Sequence, residues 1–198
     1  MRSRFAAVFL VLVGAVATAP ADANPFFDPD GRFSSGRTPG GGFGGLFGSR
    51  SATARATVVY PSRLAQGSIV INTAERRLYF ILGNGLAIRY GVGVGRAGFT
   101  WSGVKHVSAK REWPAWTPPE QMLRRRPDLP RHMAGGVENP LGARAMYLGS
   151  SLYRIHGSNE PETIGQAVSS GCFRLTNEDV VDLYNRVRVG AKVVVLRH

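Results

Sequence analysis

Cys172 is the only cysteine in 198 residues, and His156 is one of four histidines. They lie sixteen positions apart, with Gly157 directly after the histidine and Gly171 directly before the cysteine. A lone thiol beside glycine, with an imidazole on a neighbouring element, has the parts that thiol acyl transfer needs. The thiolate attacks a carbonyl, the imidazole takes the thiol proton, and backbone N–H groups freed by a tight turn hold the oxyanion. An inert, buried cysteine is the competing reading of the count alone. A zinc site using Cys172, His156 and a loop histidine has suitable ligand types but no closely spaced ligand pair.

The elements that must position the pair follow from local pattern. In the run 152–156, Leu152, Arg154 and His156 share one face and Tyr153 and Ile155 the other, so His156 falls at a strand end beside Gly157. The preceding ARAMYLG reads as another short strand. Beyond the cysteine, Thr176 caps a helix and Asp179 completes its capping box. Val180, Leu183, Tyr184 and Val187 form that helix's buried stripe, and Gly190 its stop. The helix starts too far from Cys172 for its dipole to reach the thiol, so proximity to His156 is expected to activate it. KVVVL follows as a final strand.

Upstream, TVVY, SIVINTAERRLYFIL and LAIRYGVGVG are β-branched and aromatic runs broken at 72–75 and 83–85, which are hairpin signals. Leu78, Phe80 and Leu82 alternate with Arg77, Tyr79 and Ile81, predicting one face against a core. Residues 101–140 hold all three tryptophans and many prolines and read as a long loop, as a unit a lid over one edge of the site. One short helix is expected there, with Thr117 as N-cap, Pro118 first, Glu120 closing a capping box and Arg124 to Arg126 in its last turn. Taken singly, Trp113 and Trp116 read as packing for a satellite core, and His106 and His132 as solvated or packed groups. The domain expected over 56–198 is mainly β with a few short helices.

The N-terminus reads as an address. Arg2 and Arg4 precede the apolar run FAAVFLVLVGAVATA, and Ala21-Asp22-Ala23 supplies an Ala-x-Ala end: a secretory signal peptide over 1–23. No transmembrane span is expected after its cleavage. Residues 24–55 carry eight glycines between Gly31 and Gly48 with interspersed phenylalanines, and read as a flexible linker. In an oxidising compartment an unpaired cysteine suggests a reactive thiol or an intermolecular bridge. The formal charge of +12 stays strongly basic after removal of Arg2, Arg4 and Asp22. For an exported chain that favours wall polymers, acidic peptide stems or anionic head groups over nucleic acid.

Taken together, Ile155-His156-Gly157, Ile164-Gly165 and Ser169-Ser170-Gly171-Cys172-Phe173-Arg174 resemble the L,D-transpeptidase catalytic domain, the YkuD-like fold. The resemblance runs from about Thr57 to Leu196. Trp113-Pro114, Pro118-Pro119 and Asn139-Pro140-Leu141-Gly142 also resemble the versions found in Gram-negative envelopes. It implies a β-sandwich or barrel-like domain that acts on peptidoglycan stem peptides without a cofactor. Carried over, Cys172 is the nucleophile on the third-residue carbonyl of a tetrapeptide stem, and D-alanine leaves. His156 is the general base and acid, and the Gly157 carbonyl orients its ring. Gly171 and Cys172 supply oxyanion N–H groups, Ser169 and Ser170 belong with them to the oxyanion and substrate-binding set, and Arg174 holds a stem carboxylate. The acceptor is an amine of another stem or of an envelope protein; water would make the enzyme a carboxypeptidase. One departure stands out, since many members carry a second histidine where this chain has Ser170. Ser169 read by itself orders the turn, Arg174 read by itself is an ion-pair partner, and a non-catalytic wall-binding module is the reading from another class.

Overall fold

The computed structural model describes residues 53–197. The expected leader and nearly all of the expected linker lie outside the described residues. In chain order the strands are β1 (Ala56–Val59), β2 (Ile69–Asn72), β3 (Arg77–Gly83), β4 (Leu86–Gly91), β5 (Val94–Gly95), β6 (Gly103–Glu112), β7 (Arg144–Leu148), β8 (Arg154–His156), β9 (Ala167–Ser169), β10 (Phe173–Arg174) and β11 (Lys192–Leu196). The helices are α1 (Glu120–Arg125) and α2 (Asn177–Arg186), with a 3₁₀ turn at Pro161–Thr163. The mainly β architecture expected is the one found.

Nine strands join in the order β1-β4-β3-β2-β11-β6-β7-β8-β10, and β5 pairs with β9 in a separate ribbon. β11 is the link between the halves, parallel to β2 on one side and antiparallel to β6 on the other. Ile69, Leu78, Phe80 and Tyr90 from one half share a single buried cluster with Val107, Met146, Leu148, Ile155 and Phe173 from the other. The sheet therefore folds over one core. α2 joins that core through Val180 and Leu183, with Val187 just beyond its end. At roughly 25 cal/mol per Å² of apolar surface, burial of this kind is the main term holding the layers together.

The two hairpins form where the turn residues put them. Asn72 Oδ1 accepts the N–H groups of Ala74 and Glu75, each at 3.1 Å, and folds the β2–β3 turn. Asn84 takes φ 52° between Gly83 and Gly85, the left-handed backbone that a tight β3–β4 turn requires. The single buried face expected of β3 is too simple. Leu78 and Phe80 enter the main core, but Ile81 enters a second cluster with Val70 and Ala87 on the opposite face, capped by Tyr60, Tyr79 and Leu64. The Gly91 N–H donates to the Thr53 carbonyl at 3.2 Å, and Arg55 stands 3.5 Å from Glu178, Asp179 and Asp182. Among the described residues, Thr53 and Arg55, which precede β1, thus also contact the domain.

Three further expectations are corrected. The loop expected from Trp101 opens instead with β6, the longest strand; only Val107 of its ten residues is buried, so it has no hydrophobic alternation to read. α1 starts at Glu120 behind Pro119, without a side-chain cap from Thr117. A residue before proline is steered out of the helical region, and Pro118 and Pro119 impose that on Thr117 and Pro118 in turn. The freed Thr117 hydroxyl meets His132 Nδ1 at 3.3 Å. Finally, α2 ends at Arg186 with Val187 already extended, short of Gly190. Its last carbonyls are met by a cation: Lys110 Nζ donates to Tyr184 O at 2.6 Å and to Val187 O at 2.7 Å. The N-terminal cap is as expected, with Thr176 Oγ1 accepting the Asp179 N–H at 3.1 Å.

Residues 113–140 are pinned by one buried amide. Asn139 is 1% exposed, and its Nδ2 donates to the carbonyls of Pro114, Met133 and Ala134 while its Oδ1 accepts the Leu141 N–H. Asn139→Ala leaves several buried backbone groups without partners, at about 1–3 kcal/mol for each that water cannot reach. We expect an unfolding free energy lower by about 2–4 kcal/mol in urea titration; a loss within error would show that water replaces the amide.

Candidate active site

β8 and β10 run parallel, with His156 in register with Arg174 and Ile155 with Phe173. This pairing brings the end of the histidine strand beside the residues that follow Cys172. Cys172 itself precedes β10, so the pairing sets it near the end of the histidine strand without placing it in the sheet.

The turn before the cysteine is held from both sides. Ser169 Oγ accepts the Gly171 N–H at 3.1 Å and donates to the Cys172 carbonyl at 2.6 Å. Trp101 Nε1 donates to the Gly171 carbonyl at 2.9 Å, and its ring stacks on Tyr153 at 4.6 Å between centroids. Gly171 has φ 104°, and a Cβ there would stand 2.7 Å from the Tyr153 ring. Gly171→Ala therefore combines a strained backbone with displacement of Tyr153, and about 2–4 kcal/mol of destabilisation is expected in thermal or urea unfolding. Wild-type stability in that variant would mean the turn has room to shift. Since Ser169 engages the Gly171 N–H, that group is not free in this structure to serve an oxyanion.

His156 is 4% exposed. Its Nδ1 lies 2.6 Å from the Gly157 carbonyl, which can only accept, so Nδ1 carries the proton and Nε2 keeps its lone pair. Gly157 has no room for a side chain, since a Cβ would stand 2.3 Å from Asn177 Oδ1. Asn177, the first residue of α2, in turn fixes the Ala143 N–H at 2.9 Å. Burial first, then the positive charge of Arg174, pushes the His156 pKa down to about 3, so the ring is neutral.

Burial also pushes the Cys172 thiol up, opposed by hydrogen bonding and charge from Arg154 and then by the charge of Arg174. Sγ donates to the Leu152 carbonyl at 3.7 Å, and Arg154 Nη1 donates to that same oxygen at 3.2 Å. A thiolate already paired with an imidazolium is therefore not the resting state. Desolvation disfavours both charged forms at once and leaves S–H and a neutral imidazole lining the same cleft.

Arg154 was not among the expected site residues, although the alternation that placed His156 put Arg154 on the same face. Trp101 was also missed, and no local signal links it to Gly171, seventy positions away. Arg174 is ion-paired with Glu160 at 2.9 Å, as its plain structural reading expected, and it also lines the cleft.

Cys172, His156, Arg154, Arg174, Ser169 and Ser170 open on a cleft of about 1040 Å³. Trp116, Met122, Arg125, Leu129 and Met133 from the 113–140 segment form its opposite wall, the place expected of the lid. The satellite core expected of Trp113 is absent among the described residues: Trp113 is 43% exposed and Trp116 faces the cleft. His106 and His132 are exposed and lie outside the cleft lining.

The model of the L,D-transpeptidase catalytic domain, YkuD, matches residues 66–195. The probable L,D-transpeptidase ErfK/SrfK of Escherichia coli is 36% identical over 148 residues, covering 70% of this chain but 46% of that protein. The chain thus spans less than half the length of that relative. A crystal structure from Brucella melitensis, described as a probable carnitine operon oxidoreductase, is 43% identical, with a TM-score of 0.50 over 75% of this chain and 96% of that one. An L,D-transpeptidase from Mycobacterium smegmatis shares the fold at 16% identity, with a TM-score of 0.53 over 66% of this chain and 58% of that one. A match across this much of the chain, on a mainly β domain with Cys172 and His156 opening on one cleft, places the protein in the YkuD family of L,D-transpeptidase catalytic domains.

Proposed function

We propose that this chain is an exported peptidoglycan L,D-transpeptidase that works through a thioester on Cys172. One observation carries the reading: an unpaired thiol and a neutral, Nδ1-protonated histidine face a single cleft that five arginines also line. Retention on a polymer alone requires neither a free thiol nor an oriented base.

In the donor half-reaction, Cys172 Sγ attacks the third-residue carbonyl of a tetrapeptide stem while its proton passes to His156 Nε2. The tetrahedral oxyanion is held by the Cys172 N–H at the turn, and by the Gly171 N–H when Ser169 Oγ releases it. Collapse breaks the C–N bond, and the departing D-alanine nitrogen takes the proton from His156. In the acceptor half-reaction an amine gives a proton to His156 as it attacks the thioester, and the thiol is regenerated. Arg174 can offer its guanidinium to a stem carboxylate by exchanging Glu160. The acceptor is an amine of a second stem or of an envelope protein; if water takes its place, the product is a trimmed stem.

The test is intact-mass spectrometry of the full chain after brief incubation with a disaccharide-tetrapeptide. The expected adduct equals the substrate less D-alanine and is absent from the Cys172→Ala variant. Adding candidate amines then shows which of them clears it. A folded protein that binds wall sacculi yet forms no adduct and releases no D-alanine would instead be a binding module.

A further inference from the structure

The arginines of the cleft fall into different settings. Arg174 has a carboxylate partner in Glu160 at 2.9 Å, and Arg126 has one in Asp128 at 2.6 Å. Arg96 and Arg125 line the same cleft, and among the described residues neither forms an ion pair. Both stand over one aromatic ring instead. The guanidinium carbon of Arg96 is 4.5 Å from the Phe99 centroid, and that of Arg125 is 5.2 Å from it. Phe99 itself belongs to the cleft lining.

The two cations come from different parts of the fold. Arg96 follows β5, and its N–H is fixed on the Ser169 carbonyl at 3.0 Å; Arg125 is the last residue of α1 on the opposite wall. The negative face of a shared ring offsets part of their mutual repulsion. What remains is positive potential concentrated in a concave site, which attracts an anion. The Phe99 backbone also abuts the nucleophile turn: its carbonyl lies 3.2 Å from where a Cβ on Gly171 would stand.

We propose that Arg96, Phe99 and Arg125 form a carboxylate-binding subsite of the cleft, separate from the reacting groups, that holds an acidic group of the stem peptide. The proposal rests on the stem-peptide reading given above. Two guanidiniums within 4.5 and 5.2 Å of one ring, in one cleft, suit a carboxylate, which each can engage in bidentate fashion. A stem of this class has carboxylates on its second and third residues besides the one on the departing D-alanine. Bound between Arg96 and Arg125, such a group ties the wall segment to the loop that backs the Cys172 turn.

The test is calorimetric titration of the full-chain Cys172→Ala protein with three tetrapeptide stems: all carboxylates free, the second-residue carboxylate amidated, and the third-residue side carboxylate amidated. Arg96→Gln and Arg125→Gln are each expected to weaken binding of the free stem about tenfold, the loss of one charge-assisted contact. One amidated stem should show a comparable loss on the parent and no further loss on the variants, which identifies the carboxylate that is read. Phe99→Leu, which keeps both charges without the ring, should weaken the free stem by a smaller factor. Unchanged affinity in folded arginine variants, or equal losses for all three stems, would overturn the subsite while leaving the stem-peptide reading standing. A parent protein that binds none of the stems would overturn both.

Discussion

Cys172→Ala is expected to eliminate the thioester adduct and all release of D-alanine while leaving the fold in place. The chemistry fails because the thiol is removed and a serine hydroxyl is a far weaker nucleophile at neutral pH; Ser169 Oγ is in addition committed to the Gly171 N–H and the Cys172 carbonyl. The fold survives because the turn is held through backbone groups. Trp101 grips the Gly171 carbonyl and Ser169 spans the turn, whereas the thiol itself makes only a long contact to Leu152 O at 3.7 Å. Loss of one sulfur from a half-buried side chain should cost no more than about 1 kcal/mol. Thermal melting and intact-mass analysis on the same sample check both halves. Adduct formation by the variant would remove Cys172 from its role; a collapsed melting curve would show that the sulfur is structural.

The second large effect is on His156, and it has a signature in pH. His156→Gln is expected to lower the acylation rate by about 10² to 10⁴, the usual worth of a positioned general base. The same residue controls acid stability. Its folded pKa is depressed to about 3 from an ordinary 6.5, mainly by burial, so between those values the unfolded chain binds a proton that the folded chain refuses. Stability from this group is therefore fully present above pH 6.5 and lost as pH falls below it, by about 1.4 kcal/mol per pH unit. At pH 5 the deficit is about 2 kcal/mol. Urea unfolding at pH 7.5 and pH 5 should show it in the wild type, and the component should be missing from His156→Gln. Acylation, in contrast, should not fall at the ordinary histidine pKa, since the base stays neutral well below it. A rate that halves near pH 6.5, or equal acid sensitivity in both proteins, would mean that the ring is solvated and titrates normally.

The parts legible in the sequence were those whose determinants are neighbours in the chain. His156-Gly157 and Gly171-Cys172 show themselves as short strings, and the hydrogen bond from His156 to the very next carbonyl is local as well. Thr176 and Asp179 form a cap within three residues, and Asn84 between glycines makes a turn wherever it stands. What stayed hidden depends on distant partners. β6 was invisible because, although paired on both sides, it turns most of its side chains away from the core and buries only Val107. The end of α2 was misplaced at Gly190 because Lys110, far earlier in the chain, satisfies the last carbonyls. The state of the thiol depends on how deeply Cys172 and His156 are buried together, and spacing gives no access to that. Arg154 was within reach of the alternation rule, but it became a site residue only once Leu152 O was seen to receive both its guanidinium and the thiol.

The position of β11 bears on how the chain is made. Strands β1 to β4 and strands β6 to β8 with β10 meet nowhere in the sheet except across β11, which is also the latest element in chain order. As the polypeptide emerges, the first hairpins can form early from local contacts, but they have no partner on which to set a register. Strands β6, β7, β8 and β10 can likewise pair with each other, and Gly93 and Arg174 exchange backbone hydrogen bonds, but the two halves join into one sheet only when Val193, Val194 and Val195 insert between Ile69–Ile71 and Gly103–Lys105. Closure therefore waits on a contact spanning nearly the whole described domain, the kind of topology that folds slowly. A growing chain would keep the two halves of its sheet unjoined until β11 is released.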